Sequence, residues 1–340
     1  MSAPFPWQAE PWHTVTRQAD AGRLGHALLL SGRPGVGKHI FATVLAQRLL
    51  CEASMRAIAP CASCRSCLLF TAGSHPDFRR LSPLEDARSI GIDQIRELGE
   101  FFALRSHYGQ AKVALLAPAE AMQRAAANAL LKVLEEPAGP AHLLLVSHQF
   151  ERLLPTIRSR CQQIRLDKFE PAAALAWLED PAGGGLTDPA EARALLALAH
   201  GAPLAAQDAA RNQTLALATK VAEQMTAVGS GRIHAVQAAQ SFTGVPVFGV
   251  VDLMLGFAHA LTLARLGLDA SAPDAALVAS GLIRLANHLN SQQLNAFTTA
   301  AFEVKLLCQA TANFRENDLL DQVWQAWMRA TRSERTKIAS

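Results

Sequence analysis

Apolar residues recur along the first half of the chain in two alternating rhythms. Unbroken apolar runs, ALLLS at 27–31, KVALLA at 112–117 and HLLLVS at 142–147, predict buried strands. DFRRL at 77–81 predicts a weaker strand and QQIRL at 162–166 a last one. Between them the period becomes helical. HIFATVLAQRLL at 39–50 has apolar residues at 40, 41, 44, 45 and 49, and residues 92–102 place Ile92, Ile95, Leu98 and Phe102 at helical spacing. MQRAAANALLKVLEE at 122–136 predicts a strong helix stopped by Pro137. Strand–helix alternation of this kind implies a parallel sheet with helices on both faces.

Strand signals stop near residue 167. A small helical segment follows, broken by the Gly/Pro-rich EDPAGGGLTDP at 179–189. Asp188 and Pro189 then read as cap and first-turn residue of a helix that Gly201 closes. From about 208 the pattern is helical throughout, with candidate breaks at Gly229–Gly231 and Gly244–Pro246. No internal repeat or low-complexity tract is visible.

With 340 residues the chain is long enough for two or three domains. It is 50 % hydrophobic and 18 % charged, and its abundance of alanine and leucine favours helix. A net charge of +3 argues against a whole-chain electrostatic nucleic-acid binder. The basic end MRATRSERTKIAS reads as a solvated tail. The start, MSAPFPWQAEPW, has neither the basic nor the apolar region of a signal peptide. The most apolar later stretch, 250–264, carries Asp252 and His259 and falls short of a membrane span. The expectation is a soluble cytoplasmic protein without a membrane partner.

Gly32, Gly35, Gly37 and Lys38 lie in SGRPGVGKH at 31–39, after a strand and before a helix. Glycines let backbone N–H groups face phosphate oxygens, the helix N-terminus adds its dipole, and Lys38 reaches the outer phosphates. His39 stands where a Ser/Thr hydroxyl would hold Mg²⁺, and neutral imidazole is a poor ligand for that hard cation. The next strand ends on Ala117 and Pro118, where an active enzyme needs one carboxylate for the metal and one for the attacking water. Glu120 lies two residues too late to be a good substitute. ATP binding by this altered loop is therefore doubtful, and efficient hydrolysis more so.

Cys51, Cys61, Cys64 and Cys67 are spaced C-x9-C-x2-C-x2-C, and with Cys161 and Cys308 complete the six cysteines. Four thiolates suit a closed, tetrahedral structural zinc site. An iron–sulfur cluster fits less well, since the fourth cysteine and proline of its usual run are missing. Arg56 and Arg65 flank the cysteines and keep a DNA-binding zinc ribbon open as a third reading, which two arginines support thinly. In PTIRSRC at 155–161, Arg160 is either a solvated charge or a group that reaches a neighbouring subunit's nucleotide.

Together GHALLLSGRPGVGK, PCASCRSC, HPDF (75–78), IDQIREL, AANALLKVLEEP (126–137) and LPTIRSRC resemble the bacterial clamp-loader subunits of the AAA+ class over roughly residues 1–170. Within that class the altered ATPase motifs resemble the delta-prime branch of DNA polymerase III subunits, not the gamma/tau motor branch. The resemblance implies an AAA+ RecA-like domain at 1–167 with a zinc module at 51–67, a helical lid at 168–207 and a helical collar at 208–340 that oligomerises. It implies a five-subunit ring with gamma/tau and delta subunits that opens the sliding clamp and places it on primed DNA. That ring serves a polymerase holoenzyme, a nucleotidyltransferase assembly. It also implies that Ser159, Arg160 and Cys161 form a Ser-Arg-Cys motif in which Arg160 is an arginine finger acting in trans. Ser147 falls at the family's sensor-one place, and Leu204 where a second sensor arginine is expected. The alternative is a working gamma/tau-type ATPase in which Lys38 binds phosphate and Glu120 replaces the missing acid.

Overall fold

The computed structural model describes residues 4–53, 59–85, 87–108, 111–135, 139–267, 282–286, 289–309 and 315–332. Arg56, Pro137 and the basic tail beyond 332 lie outside these described residues. The chain divides into two compact units, residues 1–177 with 202–205, and residues 178–201 with 206–340.

In the first unit an N-terminal helix, α1 (Ala9–Asp20), leads into β1 (Ala27–Ser31), α2 (Lys38–Leu50) and α3 (Arg65–Thr71). Then come β2 (Phe78–Leu81), α4 (Ile92–Ala103), β3 (Lys112–Leu116), α5 (Arg124–Glu135), β4 (Ala141–Ser147), the single turn α6 (Pro155–Arg158) and β5 (Gln162–Arg165). All pairs are parallel, in the order β2-β3-β4-β1-β5. Because side chains alternate across a strand, β1, β3 and β4 feed two cores. Leu29, Ala114, Leu116, Leu143 and Leu145 pack with Ile95, Leu98 and Phe102 of α4 and Leu130 and Leu134 of α5. On the opposite face Leu28, Leu30, Val113, Leu115, Leu144 and Val146 are buried, and α2 packs against β1, β3 and β4. The central strands are apolar throughout because both faces are covered. The edge strands FRRL and QQIR are short and polar, and the outermost rows of a sheet have only one neighbour to satisfy.

Beyond β5 every described element is helical: α7 (Pro171–Glu179), α8 (Pro189–Leu198), α9 (Pro203–Arg211), α10 (Thr214–Gly229), α11 (Ala235–Gln240), α12 (Val247–Arg265), α13 (Leu282–Ala286), α14 (Ser291–Gln309) and α15 (Glu316–Arg332). The punctuation read from sequence is present. Asp188 accepts a bond from the Ala190 amide at the start of α8, Gly201 has φ +79° after its end, and α10 stops at Gly229. In the second unit α10, α11, α12, α14 and α15 share one core. Trp324 stacks on Phe242, and the Trp327 indole N–H donates to the Met225 carbonyl at 2.8 Å. The apolar run at 250–264 extends into a 19-residue helix that passes the length and composition test for a membrane span. Its Val250, Val251, Met254, Phe257, Ala258 and Leu261 lie in this core, as in the central helix of a bundle.

Candidate functional site

The loops after β1, β3 and β4 meet at the carboxyl end of the sheet, where ligands bind in open parallel sheets. From β1 the chain turns through Gly32, Gly35 and Gly37, with φ +145°, +80° and +82°. Gly35 is irreplaceable on two counts: its φ disfavours other residues, and an added Cβ would lie 2.5 Å from the Ala205 Cβ. The Gly35 carbonyl also accepts the Leu204 amide at 3.0 Å. The Trp7 indole N–H and the Gln8 side-chain amide both donate to the Val36 carbonyl, at 3.1 and 2.8 Å. Lys38 opens α2 and donates from Nζ to the Gly32 and Arg33 carbonyls at 2.6 and 2.7 Å. The loop is thus formed, with Lys38 only 2 % exposed. Burial draws the Lys38 pKa down to about 8, and Glu120 and Asp167 oppose that fall.

His39, one residue on, is held below its ordinary pKa first by burial and then by Arg80 and His148. It is a neutral imidazole at neutral pH. Strand β3 ends at Leu116, and Ala117 and Pro118, which follow it, offer no carboxylate. Glu120 sits on the 3-10 turn Ala119–Ala121. One of its oxygens accepts the His148 amide at 2.9 Å, and the other is buried with no hydrogen-bond partner among the described residues. The fold therefore brings Glu120 into the electrostatic field of Lys38, although it lies two residues past the end of the acid positions expected from sequence. Ser147 ends β4, buried, its Oγ accepting the Gln149 amide at 3.2 Å.

Residues 155–158 of the segment 155–161 form the helical turn α6, and Ser159, Arg160 and Cys161 follow its end. Pro155 starts α6 with the fixed φ that a first turn favours. Its three motif residues point to different fates. Ser159 Oγ donates to the Thr156 carbonyl at 3.1 Å. Cys161 is buried in the core beside Ile157, and burial pushes its thiol up to about 12. Arg160 faces outward: Nη1 donates to the Thr156 carbonyl at 3.2 Å and Nη2 pairs with Glu135 Oε1 at 2.6 Å.

Cys51, Cys61, Cys64 and Cys67 converge, all four sulfurs lying within 4.8 Å of one another. Sγ–Sγ separations of 3.5 Å (Cys51–Cys61) and 4.0 Å (Cys51–Cys64 and Cys61–Cys67) exclude a disulfide. They bracket the ~3.8 Å edge of a tetrahedron with metal–sulfur bonds of about 2.3 Å. The amides of Cys61, Cys64 and Cys67 each donate to a cysteine sulfur. The Ser63 amide and then the Cys64 amide draw Cys61 down to about 6, whereas burial raises Cys51 and Cys67. Four cysteine sulfurs this close could hold a metal ion, and the donor set fits a four-coordinate metal such as zinc.

The module is tied to the sheet by residues whose roles the sequence did not disclose. The His75 Nδ1 accepts the Asp77 amide at 3.1 Å, so its proton is on Nε2, which reaches Ser66 Oγ at 2.7 Å. Ser66 Oγ in turn donates to the Leu50 carbonyl at 2.6 Å. Asp77, 0 % exposed, accepts from the Ser106 hydroxyl and the His107 and Tyr108 amides, and lies 3.6 Å from the Lys112 ammonium. HPDF thus staples the cysteine module to the first residue of β3.

A family model described as DNA polymerase III, delta subunit matches residues 7–170. A DNA polymerase III subunit delta' from Pseudomonas aeruginosa is 42 % identical over 244 residues, 72 % of this chain and 72 % of that one. The chain belongs to the delta-prime family. The delta-prime subunit of Escherichia coli K12 is 37 % identical over 174 residues, 51 % of this chain and 52 % of its own length. Among solved structures, a gamma subunit-related protein from Thermotoga maritima aligns over 94 % of this chain and 99 % of its own, with TM-score 0.46 and 17 % identity. The family-model match ends at Glu170, so it spans the phosphate loop, the cysteine module and Ser159–Cys161.

Proposed function

We propose that this chain is a non-catalytic delta-prime subunit of a clamp loader, bracing a ring that places the sliding clamp on primed DNA. In this reading it donates Arg160 in trans to ATP held by an adjacent gamma/tau subunit, with Ser159 shaping the turn. The observation that carries the reading is a contrast within one sheet. The chain's own nucleotide corner has lost both acids, at Ala117 and Pro118, and the magnesium hydroxyl, at His39. Arg160 meanwhile is displayed just past the helical turn α6, and its neighbour Cys161 is locked in the core. The residual loop of Gly32, Gly35, Gly37 and Lys38 then serves mainly as architecture. The four cysteines hold structural zinc, whose coordination replaces the apolar core this short segment lacks. The partners in this reading are gamma/tau and delta subunits, with clamp and primed DNA reached through the assembly in the cytoplasm.

The test is the clamp- and DNA-stimulated ATPase of a reconstituted loader containing wild-type chain or Arg160→Ala. An arginine finger is worth roughly 10³–10⁵ in turnover at its own site, diluted here by the other sites of the ring. A clear fall with assembly intact is expected. Unchanged turnover, or appreciable ATP hydrolysis by the purified chain alone, would overturn the reading.

A further inference from the structure

We propose that Glu135 is a positioning residue for Arg160, so that the finger is presented by α5 as well as by its own turn. The proposal rests on the trans role of Arg160 given above. Two acceptors from two elements engage the guanidinium: Glu135 Oε1 at the end of α5 and the Thr156 carbonyl in α6. They take Nη2 and Nη1, and the arginine side chain remains 38 % exposed. An unrestrained arginine samples many rotamers, and that freedom is lost each time it meets a phosphoryl group. A carboxylate that takes one nitrogen and leaves the rest of the fork accessible removes part of that loss beforehand.

Both supports are rigid. Leu130 and Leu134, five and one residues before Glu135, lie in the same core as Ile157 and Cys161. The ion pair therefore links two elements already packed together, and movement of the end of α5 is transmitted to the guanidinium. As a half-exposed pair it is worth little to folding, so its expected effect is on turnover, not on stability.

The experiment uses the reconstituted loader with ATP as the probe and four versions of this chain: Glu135→Ala, Glu135→Gln, Arg160→Ala and the Glu135→Ala/Arg160→Ala double. Glu135→Ala is expected to lower kcat by up to about tenfold with KM for ATP unchanged. Glu135→Gln, which keeps an acceptor oxygen, should recover part of the loss. The double variant should be no slower than Arg160→Ala, because Glu135 acts only through Arg160. Wild-type or faster turnover of Glu135→Ala beside a slow Arg160→Ala would sink this inference and leave the trans role standing. So would additive losses in the double. Unchanged turnover in Arg160→Ala removes the underlying reading and this inference with it.

Discussion

Replacing Asp77 by asparagine tests the junction between the cysteine module and the sheet. The carboxylate is buried and accepts from the Ser106 hydroxyl and the His107 and Tyr108 amides, with Lys112 3.6 Å away. Asparagine has one acceptor oxygen where aspartate has two. With its NH₂ in one orientation, Ser106 and Tyr108 lose their acceptor; in the other it faces Lys112. Either way Lys112, itself only 5 % exposed, keeps its charge without a counter-ion. Breaking a buried pair by removing one partner costs about 3–5 kcal/mol. The Phe101 ring, 4.1 Å from the Lys112 ammonium, offsets part of that, by ~1 kcal/mol. The expected loss is therefore about 2–4 kcal/mol, or roughly 4–16 °C in the melting of the first unit. Burial pushes the Asp77 pKa up, but the two amides, the hydroxyl and Lys112 outweigh it, and the net shift is downward. A depressed carboxylate stabilises above its unfolded pKa and loses that contribution as pH falls through the folded one. The gap between wild type and Asp77→Asn should be constant from pH 5 to 8 and close below about pH 4. Urea melts across that range, with hydrogen exchange read in β2 and β3, measure it. A loss under about 1 kcal/mol, independent of pH, would refute the argument.

Two further outcomes follow from the same geometry. Purified chain should carry about one zinc per molecule, and Cys64→Ser should lose it; amide protection then falls across residues 59–75 while β1 and β4 stay protected. Elemental analysis finding iron, or no metal, contradicts this. Burial lowers Lys38 to about 8, so its ammonium is a net cost to the folded state below that pH. Relative to Lys38→Met, the wild type should gain stability as pH rises from about 8 to 10.5, where the unfolded side chain also loses its proton. Paired urea melts at pH 7 and pH 10 check the sign, and a difference that does not move with pH excludes the shift.

What the sequence revealed depended on whether a residue's partners were close in sequence. Buried strands announce themselves, because both faces of ALLLS and HLLLVS must be apolar. Glycines at positive φ and closely spaced cysteines are equally local signals. Helix α1 was hidden by the prolines of MSAPFPWQAEPW, and α3 by the cysteines at its cap and in its first turn. Nothing near Arg160 in sequence pointed to Glu135, which arrives from 25 positions upstream. Nor does HPDF by itself disclose that its histidine bonds a serine nine residues earlier. Those links are written in the sheet's crossovers, and a linear pattern does not contain them.

The aromatic clasp on the phosphate loop gives the molecule an optical gauge of its own. Trp7 stacks 4.5 Å from Phe5, meets Trp177 edge-on and hangs by its indole N–H from the Val36 carbonyl. Trp12 is sealed against Phe41, and Trp324 and Trp327 emit from another core. Emission from Trp7 therefore depends on the shape of the loop in a way that the deeper indoles do not. Whatever enters or reshapes that loop is readable without attaching a dye.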